Sequence, residues 1–251
     1  MEILVLLKQT FDTEAKVTVE DGRVLDDDVT LVINPYDEYA VEEGLKIREA
    51  VGGSVTVVSV GDARVDEALR RALAMGADEA VRIEPPAGAD EVVVANLLAA
   101  YAKDKQFDIV LGGNVSVDTG AGQTALRFAE ILGIPHVAAA LKLEVAGSTA
   151  TVHRDAEGDT EVVEVPLPAL ITAQQGLNEP RYPSVPGIMK AKRKKIALLT
   201  PADLGVAVSP QTQVIEIFQA EQNRRNTLIK GSAAEQAKQL VQLLRSEAKV
   251  I

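Results

Sequence analysis

The sequence contains no cysteine and no tryptophan, and its 251 residues include only four phenylalanines, four tyrosines and two histidines. Without cysteine there is no disulfide framework, no thiolate metal site and no cysteine nucleophile. The two histidines, His136 and His153, lie too far apart for a helical i, i+4 metal pair, and both read as structural. With so few aromatics, a large planar ligand must be gripped mainly by backbone and small side chains. Positive charge is scarce as well. Lys and Arg number 26 against 37 Asp and Glu, a net charge of −11, and that balance repels nucleic-acid phosphates. No apolar run approaches the roughly 18 residues of a membrane span, so no membrane insertion is expected. Met1-Glu2-Ile3-Leu4-Val5 reads as a strand in an acidic context without the basic region of a signal peptide, and a cytoplasmic location is expected. What the chain has in quantity is aliphatic: 47% hydrophobic against 25% charged residues, enough for a substantial core. The length allows one large domain or a domain plus an appendage.

Strand-like and helix-like segments alternate through the first half. Glu2 to Leu7, Thr30 to Ile33, Ser54 to Val60, Ala80 to Ile83 and Asp108 to Leu111 are short aliphatic runs. Between them, Asn34-Pro35-Tyr36-Asp37 opens a helix with a capping Asn, a Pro at its first position and acids in its first turn. Further helices are predicted from Val65 to a glycine cap at Gly76, over Asp90–Lys103, and from about Gln123 to Leu132. This alternation implies a doubly wound α/β fold with a mostly parallel, Rossmann-like sheet. After Ile134-Pro135, Ala138–Val145, Ala150–Arg154 and Glu161–Val165 read as a small antiparallel extension, and Pro168–Ala173 as one more buried strand. The stretch from Gln174 to Gly187 reads as irregular, and the basic run Lys190–Lys195 as a solvated face. Residues 1–199 are therefore expected to form the α/β domain. Residues 200–251 are expected to form a C-terminal arm, thin until a last helix where Ser232 and Glu235 have capping-box spacing. Such an arm needs a surface to lie on, and a partner subunit is the natural one.

The loop Gly112 to Thr124 (GGNVSVDTGAGQT) follows a strand and precedes a helix, the place where open α/β sheets bind ligands. Gly120 and Gly122 let the backbone approach a ligand, and amides near Gln123 and Thr124 offer an anion site. A bound phosphate is one reading, a flexible glycine loop without a ligand the other. Neither the Walker spacing nor G-x-G-x-x-G occurs and no Lys follows, which argues against ATP hydrolysis. The strand ends Leu6-Leu7-Lys8 and Val60-Gly61-Asp62, with Asn34, are candidate neighbours. No nucleophile–base–orienter set is present, so no catalytic residue is assigned and an enzyme is not expected. Asp155, Glu157, Asp159 and Glu161 read as a solvated acidic turn rather than an acid–base pair.

Several segments together resemble the β subunit of electron transfer flavoprotein. They are Val152-His153-Arg154-Asp155-Ala156-Glu157-Gly158-Asp159-Thr160-Glu161 running on to Pro168-Ala169-Leu170-Ile171-Thr172, Asn34 to Glu43 (NPYDEYAVEE), Ala72 to Asp78 (ALAMGAD) and Leu177 to Lys192 (LNEPRYPSVPGIMKAK). The resemblance covers nearly the whole chain. It implies a heterodimer with an α subunit that holds most of a redox-active FAD, while this chain binds a structural AMP. By the family pattern AMP would contact Leu6, Asn34, Val60, Gly61 and the loop Asp118, Thr119, Gly120, Ala121, Gly122, Gln123 and Thr124. Arg181, Tyr182, Pro183, Ser184, Val185, Pro186, Gly187, Ile188, Met189 and Lys190 match a recognition loop that docks acyl-CoA dehydrogenases, with Val185 at the apolar anchor position that usually holds Leu. Asp155 matches an acidic position facing the α subunit near the flavin. Thr13 stands where some members place a tyrosine over the flavin, and nearby Phe11 is a substitute contact. The implied task is to help carry electrons from the dehydrogenases to a quinone oxidoreductase. Two alternatives stay open: an electron-bifurcating member with a second FAD in place of AMP, and a free-standing nucleotide-binding module of the universal-stress type.

Overall fold

The computed structural model describes residues 1–26, 29–219 and 226–251, so positions 220–225 of the expected arm lie outside the described residues. The first strand, β1 (Glu2–Leu6), decides the layering. Ile3, Val5 and Leu7 pack into one core and Leu4 and Leu6 into another, all of them buried. A strand apolar on both faces has to lie inside a sheet covered by helices on both sides. Around it follow β2 (Gln9–Phe11), β3 (Thr18–Glu20), β4 (Arg23–Leu25), β5 (Leu31–Ile33), α1 (Pro35–Val51), β6 (Ser54–Val60), α2 (Val65–Met75), β7 (Glu79–Ile83), α3 (Glu91–Ala102), β8 (Ile109–Gly113) and α4 (Thr124–Leu132). Then come β9 (His136–Ala146), β10 (Thr149–Ala156), β11 (Asp159–Pro166), β12 (Ala169–Ala173), α5 (Val185–Arg193), β13 (Ile196–Leu199) and α6 (Ala233–Leu243), closed by a π-helical turn at Leu244–Ala248.

The main sheet has nine strands in the order β11-β10-β9-β12-β8-β1-β6-β7-β13. From β9 to β13 in that order the pairings are parallel, and β10 and β11 add the antiparallel extension. From β1 the chain winds outward through β6 and β7, then crosses back to β8 on the other side of β1. The strand order therefore reverses between β1 and β8, and the carboxyl ends of those strands open a crevice of the kind that holds ligands in such folds. One face of the sheet carries α1 and α2, with Val41, Leu45, Leu69 and Leu73 buried against Ile3, Val5 and Val57. The other carries α3 and α4, with Leu97, Leu98 and Phe128 buried against Leu4, Val58 and Val110.

Three features differ from the expectation. The irregular stretch after Gln174 ends in α5, whose Ser184 hydroxyl accepts from the Gly187 amide at 3.1 Å as an N-cap. The basic run is not wholly solvated: the Lys194 ammonium donates to the Ala77 and Asp78 carbonyls at 2.7 and 2.9 Å. Residues 196–199 form β13, a parallel edge strand on β7. Its alternation is hidden because it is short and follows a charged run, so tertiary pairing rather than local pattern creates it. Beyond it, Leu204, Val206 and Val208 pack partly on the α3–α4 core. Val214, Ile215, Phe218 and Leu228 are exposed, and α6 buries no residue. At the start of α6, the Glu235 carboxylate accepts from the Ser232 amide and hydroxyl at 2.9 and 2.7 Å, the reciprocal half of the expected capping box.

Phe128 is fully buried beneath α4 and fixes that helix at the rim of the crevice. Phe128→Ala is expected to lower the unfolding free energy by about 3–5 kcal/mol. Urea denaturation measures this, and an unchanged midpoint would mean that α4 is held by something else.

Candidate functional site

A cavity of about 280 Å³ lies in the crevice between β1 and β8. Its walls come from the end of β1 (Leu6, Leu7, Lys8), the start of α1 (Asn34, Asp37), the end of β6 (Val60), the start of α3 (Asp90, Glu91), the end of β8 (Gly112, Gly113), the loop after it and the first turn of α4. The volume falls just under the roughly 300–1,000 Å³ usual for small-molecule sites.

The crevice is pinned by one carboxylate. Asp37, in the first turn of α1, is buried and accepts from the backbone amides of Lys8 and Gly113 at 2.7 and 2.6 Å, one at each strand end. Burial pushes its pKa up to about 7, opposed by those two amides, the Asn34 side chain and the Lys8 charge. A Cβ at position 113 would fall 2.3 Å from the Asp37 carboxylate, so only glycine fits there.

Asn34 occupies the N-cap position of α1 but does not cap it. Its amide instead donates to the Val115 carbonyl at 2.9 Å and its oxygen accepts from the Val117 amide at 3.2 Å. The capping role expected from sequence is thus replaced by a tether on the glycine loop. Asn114 is held from the far side, where its oxygen accepts from the Thr172 hydroxyl at 3.0 Å. Gly120 and Gly122 take positive φ values of 64° and 58°, which side chains disfavour.

Lys8 is the one cationic side chain on the cavity wall among the described residues. Its ammonium donates to Asp118 at 2.8 Å and to the Ser116 hydroxyl at 3.3 Å. Burial by itself would raise the Asp118 pKa, but the hydrogen bonds from Lys8 and Ser116 and the Lys8 charge outweigh it and hold the carboxyl below its ordinary value. No side chain caps α4: the Gln123 side-chain oxygen Oε1 accepts from the Arg127 guanidinium at 2.9 Å instead. Thr124 and Ala125 of that uncapped first turn line the cavity, and a helix start of this kind favours an anion. Asp90 caps α3 by accepting from the Val93 amide at 3.0 Å, and it also accepts from the amides of Gln211 and Thr212 at 2.7 and 2.9 Å. The Val93 amide, with Gln211 and Thr212, lowers its pKa to about 2.

Of the residues singled out from sequence, Leu6, Asn34, Val60, Thr119, Ala121, Gly122, Gln123 and Thr124 line this cavity. Gly61 and Asp118 line an adjoining one of about 240 Å³, which shares Lys8 and Val60 with the first and includes Phe11. Gly120 lines neither, and Thr13 is exposed. Asp155 stands half-buried on β10, separated from β8 by β9 and β12. Glu157, Asp159 and Glu161 around it are exposed, as a solvated acidic turn should be. His136, expected in an apolar setting, is exposed at the start of β9, while His153 is half-buried. Sequence reasoning missed Asp37 and the start of α3 (Asp90, Glu91) as wall residues, whereas Asn114 and Ser116 belong to the glycine loop it singled out. Asp37 carries a signal only as a first-turn acid, which a helix dipole explains without any ligand. Among the described residues, no cluster of three or more His, Asp or Glu is arranged to hold a metal ion.

The segment Arg181–Lys190, expected to dock a dehydrogenase, forms the approach to α5 and its first two turns. Tyr182 and Val185 are 89% and 75% exposed, and Ile188 and Met189 are exposed beside them. Arg181 is turned inward, onto Glu42 and Glu49 of α1.

A doubly wound α/β chain with a cleft at its switch point is of the class whose ligand sites lie outside the carboxyl ends of the strands. Residues 21–204 match the family model described as electron transfer flavoprotein domain. The chain is 49% identical to the electron transfer flavoprotein subunit beta of Bacillus subtilis (strain 168), with the whole of both chains covered. It is 39% identical to the corresponding subunit of Thermoanaerobacterium thermosaccharolyticum over 98% of each chain. Against the human subunit it is 38% identical over 86% of this chain and 88% of that one. The chain belongs to the electron transfer flavoprotein β-subunit family. This sets aside the universal-stress alternative.

Because Asp37 pins both strand ends, Asp37→Asn, which replaces one acceptor oxygen by a donor facing an amide, is expected to destabilise the fold by roughly 1–3 kcal/mol. A carboxyl whose folded pKa is about 7 and whose ordinary value is 3.8 binds its proton more tightly when folded. Its stabilising contribution is therefore complete below about pH 4 and lost as pH rises to about 7. The stability gap between wild type and variant should narrow over that window. Thermal melts at several pH values measure it, and a constant gap would show that Asp37 does not titrate there.

Proposed function

We propose that this chain, with an α subunit, forms an electron carrier in which it binds AMP as a structural ligand and presents a docking face to acyl-CoA dehydrogenases, the electrons passing on to a quinone oxidoreductase. The observation that carries the nucleotide assignment is the gathering of Leu6, Asn34, Val60, Thr119 and residues 121–124 around one cavity at the uncapped start of α4. These positions are far apart in sequence, and the family pattern links them for a reason independent of the fold.

The wall chemistry suits a nucleoside monophosphate. The phosphate would lie against the first-turn amides of α4, within the field of Lys8, whereas Asp37, Asp90 and Glu91 disfavour a long polyphosphate. The base would rest on Val60, Ala89, Val94 and glycine backbone, as a chain poor in aromatics requires. FAD, held mainly by the α subunit, supplies the redox chemistry of the assembly. The contribution of this chain is to shape and exclude water from its side of that site, with Phe11, Thr13 and Asp155 proposed as contacts. No residue of this chain is proposed to be catalytic. Of the expected arm, residues 200–212 pack on this chain's own α3–α4 core and on Asp90, and the part beyond Thr212 is proposed to lie on the α subunit. The exposed Val214, Ile215, Phe218 and Leu228, with Leu240 and Val241 of α6, support this, because isolated chains rarely leave so much apolar surface open. In a bacterial cell the assembly would work in the cytoplasm.

A second reading rests on the adjoining cavity, which shares Lys8 and Val60 with the first. A dinucleotide spanning both would make this an electron-bifurcating member with FAD in place of AMP. The Lys8–Asp118 pair at the boundary between the cavities favours the shorter ligand.

Nucleotide analysis of the purified αβ complex separates the readings. One FAD and one AMP per heterodimer is the expected result; two FAD with reduction by NADH supports the bifurcating member, and no AMP defeats the cleft assignment. For docking, Val185→Asp is expected to slow electron transfer from an acyl-CoA dehydrogenase at least tenfold while FAD content stays unchanged, since a buried apolar contact becomes a desolvated charge. Steady-state kinetics with varied dehydrogenase measure it, and wild-type rates would remove the docking assignment.

A further inference from the structure

The exposed residues of the docking segment sit between two intramolecular clamps. At the far end, Arg70 of α2 donates to the carbonyls of Ala191 and Lys194 at 2.9 and 3.2 Å. In the middle, Gly187 lies so close to α2 that a Cβ there would be 2.3 Å from the Ala74 carbonyl oxygen. At the near end, α1 supplies the other clamp. Glu42 is only 5% exposed, and a carboxylate so buried must be paired. Arg181 pairs with it through two parallel contacts, Nε to Oε2 at 2.8 Å and Nη2 to Oε1 at 2.9 Å. Its backbone amide adds a third to Oε2 at 3.1 Å. Nη1 and Nη2 also reach Glu49, and the Arg181 hydrogen bond, foremost, holds the Glu49 carboxyl below its ordinary value. Just before this clamp, the Asn178 amide donates to the Tyr39 carbonyl and to buried Glu43 at 3.0 and 2.9 Å. Every nitrogen of the Arg181 guanidinium is thus engaged within the chain, one residue before the most exposed side chain of the segment.

We infer that Arg181 is a positioning residue: its fork onto buried Glu42 fixes the entry to α5 and so aims the apolar face of Tyr182, Val185, Ile188 and Met189, without itself touching the docked protein. The inference rests on the docking reading above and adds to it the device that sets affinity. A face held in its binding geometry loses little conformational entropy on association, whereas a face on a loose strap loses much more.

Glu42 makes the test decisive, because a residue enclosed in α1 cannot reach a partner. Heterodimers carrying Arg181→Gln, Glu42→Gln and both changes are assayed with an acyl-CoA dehydrogenase, alongside Val185→Asp. Each single change is expected to raise KM for the dehydrogenase about tenfold and to leave kcat within about twofold, and the double variant to be no worse than either single one, since all three break one pair. In the free heterodimer, amide exchange across residues 182–193 should accelerate in the same variants. A raised KM for Arg181→Gln with a wild-type KM for Glu42→Gln would mean that Arg181 contacts the partner directly, which overturns the inference. Wild-type KM in both, with Val185→Asp still impaired, overturns it while leaving the docking reading intact. If Val185→Asp is also unimpaired, the docking reading itself falls, and unchanged amide exchange would remove the clamp as well. Should Glu42→Gln fail to fold, Glu49→Gln removes the outer half of the clamp, and a wild-type KM with wild-type exchange there overturns the inference.

Discussion

Two parallel strands that part company leave backbone amides with nothing to bond, and in this chain a single carboxylate receives both. Asp37 accepts from Lys8 at the end of β1 and from Gly113 at the end of β8, the two strands between which the sheet order reverses. An unpaired buried amide costs on the order of 1–3 kcal/mol, so the crevice could not stay open without such an acceptor. Three residues earlier, Asn34 takes hold of the glycine loop through Val115 and Val117. The Asn-Pro-Tyr-Asp start of α1 therefore secures the floor of the cleft with one side chain and its rim with another. The proline fixes the backbone angle that lets both reach.

The same helix serves the far end of the chain. Glu42 and Glu43 lie one turn and more beyond Asp37, buried, and they receive Arg181 and Asn178. One helix thus connects the cleft to the segment that leads into α5. In the proposed assembly this makes α1 a rigid reference between a site that holds a ligand permanently and a face that must bind and release another protein. Rigidity there agrees with a carrier whose own residues perform no chemistry, because its contribution is then geometric.

The charge distribution fits that division. The cavity wall has three acids against one lysine, and the lysine is already paired with Asp118. The phosphate of the proposed ligand would be held there mainly by helix amides, whose partial charges are fixed in direction and suit one small anion. The exposed aliphatic residues of the C-terminal stretch carry no such specificity. They lie where the chain has left the sheet, past the point at which Asp90 fastens residues 211 and 212.

Much of this was legible in the residues. Aliphatic runs separated by capped helices specify a doubly wound sheet, because a strand apolar on both faces can be buried in few other ways. The glycine loop and strand ends marked the cleft, since ligand sites in such sheets follow topology. Tertiary structure alone decided what individual side chains do. Asn34 reads as a helix cap yet tethers a loop 81 residues away. Asp37 reads as a dipole acid yet bridges two strands, and Arg181 reads as a docking contact yet pairs with a carboxylate 139 residues earlier. The strand β13 exists only because β7 offers it an edge. Local pattern records which face of an element is apolar, a property of neighbours in sequence. The partner of a buried polar atom is set by which distant groups the fold leaves unpaired, and no spacing along the chain encodes that.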